Sequence, residues 1–145
     1  MEVLICAAIL AILGGIAAPR IAESNARARV RSAAQSAAAI VDRIAAEAEA
    51  SSSERIIRFG ADGAIESSKR DGTEVRRFDL STEPWRAMIT KADFGGDIEM
   101  IINGFGESDS DGFFLVQSSG AIARVEWTRV SRHCQVRELT SIGSP

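Results

Sequence analysis

A run of sixteen residues without a charge, Val3–Ala18, follows a single glutamate, Glu2, and ends against Pro19-Arg20. No other feature restricts the fold as strongly, because so long an apolar stretch has to leave water for a bilayer or a protein core. Three readings are open. A bilayer span needs about 20 apolar residues, within a range of about 17–25. The run is slightly short of that, and a few apolar residues upstream or snorkelling of Arg20 would complete it. A cleaved secretory signal fits the length, and "GIAA" supplies small residues. However, residue 2 is acidic where a basic region belongs, and Pro19 makes a poor cleavage context. A buried helix of a soluble core is the third reading, although such runs are usually about 10–14 residues long.

Glu2 bears on the choice. A carboxylate at membrane depth costs about 2.5–3.5 kcal/mol unless it is paired. The nearest basic side chain is Arg20, eighteen residues on, or about 27 Å along a helix at 1.5 Å per residue. A partner must therefore come from another chain or from the N-terminal amine.

Glu2, the stretch "VLICAAILAILGGIAA" and Pro19, seventeen residues after the glutamate, resemble the N-terminal signature of type IV pilins and type II secretion pseudopilins. The resemblance implies that Glu2 pairs with the N-terminal amine of a neighbouring subunit in a filament. It places Met1 at the fourth mature position. A basic leader, a processing glycine and three further residues are then expected before it, to be acted on by a prepilin peptidase and methylated at the new N-terminus. Gly14 and Gly15 each cost about 1 kcal/mol of helix stability relative to Ala, and Pro19 deprives the carbonyl of Gly15 of its donor. These three breakers fit a membrane helix that tolerates them. They equally fit the local unwinding on filament assembly that the resemblance implies.

Residues 20–53 read as a helical stem. Val30, Ala34, Ala37, Val41, Ile44 and Ala48 recur at three- and four-residue steps, with Ile40 beside them, which predicts one narrow alanine-rich face suited to close packing. Arg27, Arg31, Gln35 and Asp42 fall away from that face. Arg20, Arg27, Arg29 and Arg31 form a basic cluster next to the apolar run, within reach of lipid phosphates. Taken alone, the positive-inside rule puts this flank in the cytoplasm. The resemblance implies a periplasmic stem, because the family's basic leader lies on the other side of the membrane.

From Arg55 the period shifts toward two. Strands are predicted at "RIIRF" (55–59), "AIESS" (64–68) and "EVRRFDL" (74–80), punctuated by the turn signals Asp62-Gly63 and Asp71-Gly72. "EPWRAMITKA" (83–92) is ambiguous between strand and short helix. "DIEMIING" (97–104), "GFFLVQS" (112–118) and "AIARVEWT" (121–128) are predicted strands, the last two joined at Ser119-Gly120, and "HCQVREL" (133–139) closes the sheet. The expected fold is α+β: a membrane-spanning helix over 1–19, an amphipathic stem over 20–53 and a periplasmic β-rich domain over 54–145. A long N-terminal helix packed on an antiparallel sheet is the pilin architecture. The stretch "IINGFGESDSDGFFLVQSSGAIARVEW" further resembles the H-type minor pseudopilins.

Little points to chemistry. "ESDSDG" (107–112) looks like half a calcium loop, but Glu stands at 107 where Asp is wanted and Ser118 stands where a bidentate Glu is wanted. A solvated acidic loop is the simpler reading. The one histidine, His133, and the two cysteines, Cys6 and Cys134, do not make a metal cluster by themselves. Adjacent strand residues such as His133 and Cys134 point to opposite faces, so they do not pair as base and nucleophile. Trp85 and Trp127 are expected as core or interface anchors. A net charge of −3 argues against general nucleic-acid binding.

The expected function is therefore structural and not enzymatic, with no cofactor and no metal. The chain reads as a minor pseudopilin held in the bacterial inner membrane with its C-terminal domain in the periplasm. Its expected partners are other pseudopilin subunits, inner-membrane lipid and secreted cargo. The alternatives are a minor type IV pilus subunit, a secreted binding domain with a conventional signal, or an anchored enzyme with an unrecognised site.

Overall fold

The computed structural model describes the backbone of residues 2–139 and the side chains of residues 20–139. One helix, α1, runs from Glu2 to Ser51. Its second half is rich in alanine, the best helix former, and holds no Gly or Pro after Pro19. The helix stops in a Schellman arrangement. Ser52 adopts a left-handed φ of 47°. Its N–H bonds the Glu49 carbonyl, and the Ser53 N–H bonds the Ala48 carbonyl, both at 3.1 Å.

Eight strands follow: β1 (Arg55–Phe59), β2 (Ala64–Lys69), β3 (Arg76–Asp79), β4 (Met88–Phe94), β5 (Glu99–Ile102), β6 (Gly112–Ser118), β7 (Ala121–Trp127) and β8 (Cys134–Leu139). They form two antiparallel four-stranded sheets, ordered β3-β2-β1-β5 and β4-β6-β7-β8. The molecule is thus α+β, one long N-terminal helix packed on antiparallel sheets. The division into two sheets departs from the single sheet expected. The chain crosses to the second sheet at β4, returns to the first at β5 and crosses again at β6, so the strands that neighbour each other in space are not all neighbours in sequence.

The two sheets and α1 share one core. Val30, Ala34, Ala37, Val41, Ile44 and Ala48 are all buried, as the periodicity predicts, and Ala33, Ala38 and Ala45 join them. The buried face is wider than expected because alanine lets the sheet approach on both flanks of the stripe. Opposite lie Ile57, Met100, Phe114, Val125 and Trp127, also buried. Phe59 of the first sheet stacks on Phe94 and Phe114 of the second, at 5.2 and 4.6 Å between ring centroids, which ties the sheets together.

Several predicted boundaries move. β3 is only four residues long, since Glu74 takes a φ of 53° that a strand does not allow. Residues 83–85 are turn and 86–87 irregular, closed by the Ala87 N–H to the Leu80 carbonyl at 2.8 Å, and β4 begins after them. β5 is also shorter than predicted. His133 precedes β8 and is not part of it. Gly63 in the β1–β2 turn has a φ of 88°, and a Cβ there would meet the Ala87 carbonyl oxygen at 2.3 Å, so this glycine is required twice over.

Among the described residues no helix is long and apolar enough to cross a membrane. The span expected over 1–19, with Glu2, Gly14, Gly15 and Pro19, lies outside the described side chains.

Candidate functional site

The described part of α1 has two zones. Val30 is its first buried residue, and from Arg20 to Arg29 every side chain is exposed except half-buried Ala26. The basic cluster therefore sits where the helix leaves the β-domain. At 100° per residue, Arg20, Arg27 and Arg31 fall within about 20° of one line along the helix, and Arg29 falls on the opposite side. The four arginines do not act as one patch. Arg27 pairs with Glu23 one turn back at 2.6 Å. Arg31 lies 3.5 Å from Glu138 on β8, with both side chains about half exposed, so this contact adds little stability. Among the described residues, Arg20 and Arg29 have no carboxylate within ion-pair distance.

Beside this zone a cavity of about 420 Å³ opens between α1 and the near end of the second sheet. Ala22, Ala26 and Val30 line one wall, and Ala121, Ile122 and Leu139 the other. Glu23, Arg27 and Glu138 stand at its rim. The cavity exists because the helix diverges from the sheet here, where alanines no longer meet a large side chain opposite.

A second node fixes α1 against β8. Asp42 Oδ1 accepts the Cys134 N–H at 2.9 Å. Burial pushes the Cys134 thiol above its ordinary range, and the nearby Asp42 charge and hydrogen bond push it further. The thiol is therefore kept protonated and unreactive. The ring of His133 reaches the same carboxylate only at 4.0 Å and is largely exposed. His133 and Cys134 thus converge on Asp42 through a ring nitrogen and a backbone N–H. The expectation of opposite strand faces did not anticipate this, because it took His133 as a strand residue. Asp42 was recognised only as lying off the apolar stripe, and no local signal marks it, since its partner is 92 positions away.

The acidic loop at 107–112 serves its own architecture. Glu107 pairs with Arg132, Asp111 Oδ1 accepts the Arg129 N–H at 2.7 Å, and Ser108 is buried with its hydroxyl on the Ser110 carbonyl at 2.8 Å. Among the described residues no three His, Cys, Asp or Glu groups are placed to hold a metal ion. Trp127 is a core residue, 1% exposed, whereas Trp85 is half-buried in the turn before β4. Here the Ser118 hydroxyl donates to the Trp85 carbonyl at 2.8 Å. Sequence reasoning also missed Arg55. It is buried at the start of β1 and donates to Glu74 at 2.7 Å, and Lys69 meets the other oxygen of that carboxylate. These two partners hold the Glu74 carboxyl below its usual range.

No protein-family model, curated protein or solved structure matches the chain significantly.

Proposed function

We propose that this chain is a pilin-like assembly subunit, a minor pseudopilin of a type II secretion system. Residues 1–19 anchor it in the inner membrane, the stem over 20–53 packs into a helical bundle, and the β-domain faces the periplasm. Its role is to assemble with other subunits and meet secreted cargo, with no reaction of its own. The observation that best supports this is the disposition of α1. From Val30 onward the helix is the floor of the β-domain, and from Arg29 back to Arg20 its side chains are exposed, apart from half-buried Ala26, and open to contacts with lipid or other chains. The sequence signature at Glu2 and Pro19 adds the assembly element. A glutamate in an apolar run needs a partner that its own helix does not supply, and a neighbouring subunit's amine meets that need.

The test is the mass of the N-terminal peptide from protein extracted from its native membrane. A methylated N-terminus three residues before Met1 is the expected result. A chain beginning near Pro19 would show ordinary signal cleavage and refute the proposal.

A further inference from the structure

We infer that the β-domain rests on the membrane, with the β6–β7 turn and the neighbouring end of the second sheet against the headgroup layer of an anionic bilayer. This rests on the reading that residues 1–19 span that bilayer.

The axial register of the helix and sheet carries the inference. Asp42 meets Cys134 at the start of β8, and Arg31 meets Glu138 near its end. β8 therefore runs antiparallel to α1, and its Leu139 end points toward the anchor. The turn residues Ser119 and Gly120 line the same cavity as the helix residues Ala22, Glu23, Ala26, Arg27 and Val30, and lie on its anchor side, just past the Ile122–Leu139 pair, so the turn lies beside the stretch from Ala22 to Ala26. Ala22 is four and Ala26 eight residues beyond Ala18, where the apolar run ends, a separation of about 6–12 Å along the axis. The headgroup layer of one leaflet is itself about 5–8 Å thick, given a hydrocarbon core of about 30 Å in a bilayer of about 40–45 Å. A turn at that height meets the outer face of the headgroups, and a helix tilted toward the turn's side brings it closer.

The chemistry of this end fits such a place. Met88, Gln117, Ile122 and Leu139 form one row across the second sheet by their pairing register. Met88 is 51% exposed and Leu139 41%, and Ile21 on the helix is 61% exposed. Around them Arg27, Arg31 and Arg86 are matched by Glu23, Glu138 and Glu83. Arg20, two residues beyond Ala18, remains without a carboxylate partner among the described residues. Apolar side chains beside an arginine without a counter-charge suit an anionic lipid surface. A protein partner at this height would have to displace the lipid that surrounds the anchor.

The test uses the full chain with Cys6 and Cys134 replaced by Ala. It carries one environment-sensitive fluorophore on Ser119→Cys, on Met88→Cys, or on Val130→Cys at the opposite end of the domain. Each is reconstituted in mixed phosphatidylcholine–phosphatidylglycerol vesicles. Flotation after alkaline carbonate reports whether the anchor is inserted, and a headgroup nitroxide lipid reports contact. The labels at 119 and 88 are expected to be quenched several-fold more than the label at 130, and Arg20→Gln is expected to narrow that ratio. Equal quenching in a chain that resists carbonate would overturn the inference while leaving the anchor intact. Protection at 119 that appears only at high protein density would assign the surface to a second copy, and would also overturn it. A chain stripped by carbonate would remove the anchor reading and this inference with it.

Discussion

Replacing Asp42 tests how the stem is held to the domain. In Asp42→Ala the Cys134 N–H loses its acceptor at 2.9 Å at a site where water enters poorly. A buried donor left unpaired costs about 1–3 kcal/mol. The carboxylate is partly exposed, so the lower half of that range, about 1.5 kcal/mol, is expected. For a folded unit of this size that corresponds to a fall in Tm of about 5 °C. Asp42→Asn keeps an oxygen at the same place and is expected to lose less than half as much, while removing the charge beside the thiol. The two variants therefore separate stability from reactivity. Circular-dichroism melts of the detergent-solubilised chain give the first, and the rate of Cys134 modification by a disulfide reagent gives the second. Modification is expected to be faster in Asp42→Asn than in the parent at the same pH. The parent should also show a particular pH dependence. The folded thiol ionises above the unfolded one, so its contribution is complete below about pH 8.5. It is then lost as pH rises, by about 1.4 kcal/mol per pH unit until the folded thiol itself ionises. If Asp42→Ala and Asp42→Asn melt together and neither changes the thiol's rate, the clasp reasoning is wrong.

Phe114→Ala should lower stability by about 3–5 kcal/mol in urea titration, because Phe114 is 1% exposed and stacks on Phe59 at the junction of the two sheets; a loss under 1 kcal/mol would mean that the junction repacks freely. Deleting residues 1–19 should leave a folded, monomeric domain by sedimentation and circular dichroism, since the described core draws only on Val30 and residues after it; an aggregated fragment would count against an independent domain. Glu2→Ala should leave the protein in the membrane but impair its co-purification with neighbouring subunits, and unchanged co-purification would remove the pairing role.

Much of the fold was legible because its signals are local. Val30 to Ala48 marked the buried face through the helical period. Asp62-Gly63 and Asp71-Gly72 marked turns because few residues tolerate the positive φ found at Gly63 and Gly72. The turn at Ser119-Gly120 likewise set the β6–β7 hairpin. At the candidate site the same reading found the four arginines but not their partners. Glu23 is one turn away on the same helix, whereas Glu138 reaches Arg31 only through the packing of β8 on the stem. Likewise "EVRRFDL" shortened to the four-residue strand "RRFD" because Glu74 turns out of line to meet Arg55 and Lys69.

The sequence by itself therefore determined the long helix, most of the strands to within a few residues and which helical face is apolar, but not the state of residues 83–92. Those properties follow from backbone preference and hydrophobic period, which act over a few residues. Only the tertiary structure decided that the strands divide into two sheets, that Asp42 closes on Cys134, and that the β6–β7 turn shares a cavity with the helix stretch that begins at Ala22. Each of these depends on which distant surfaces fit together, and close packing on a face of alanines is decided by shape across the whole interface.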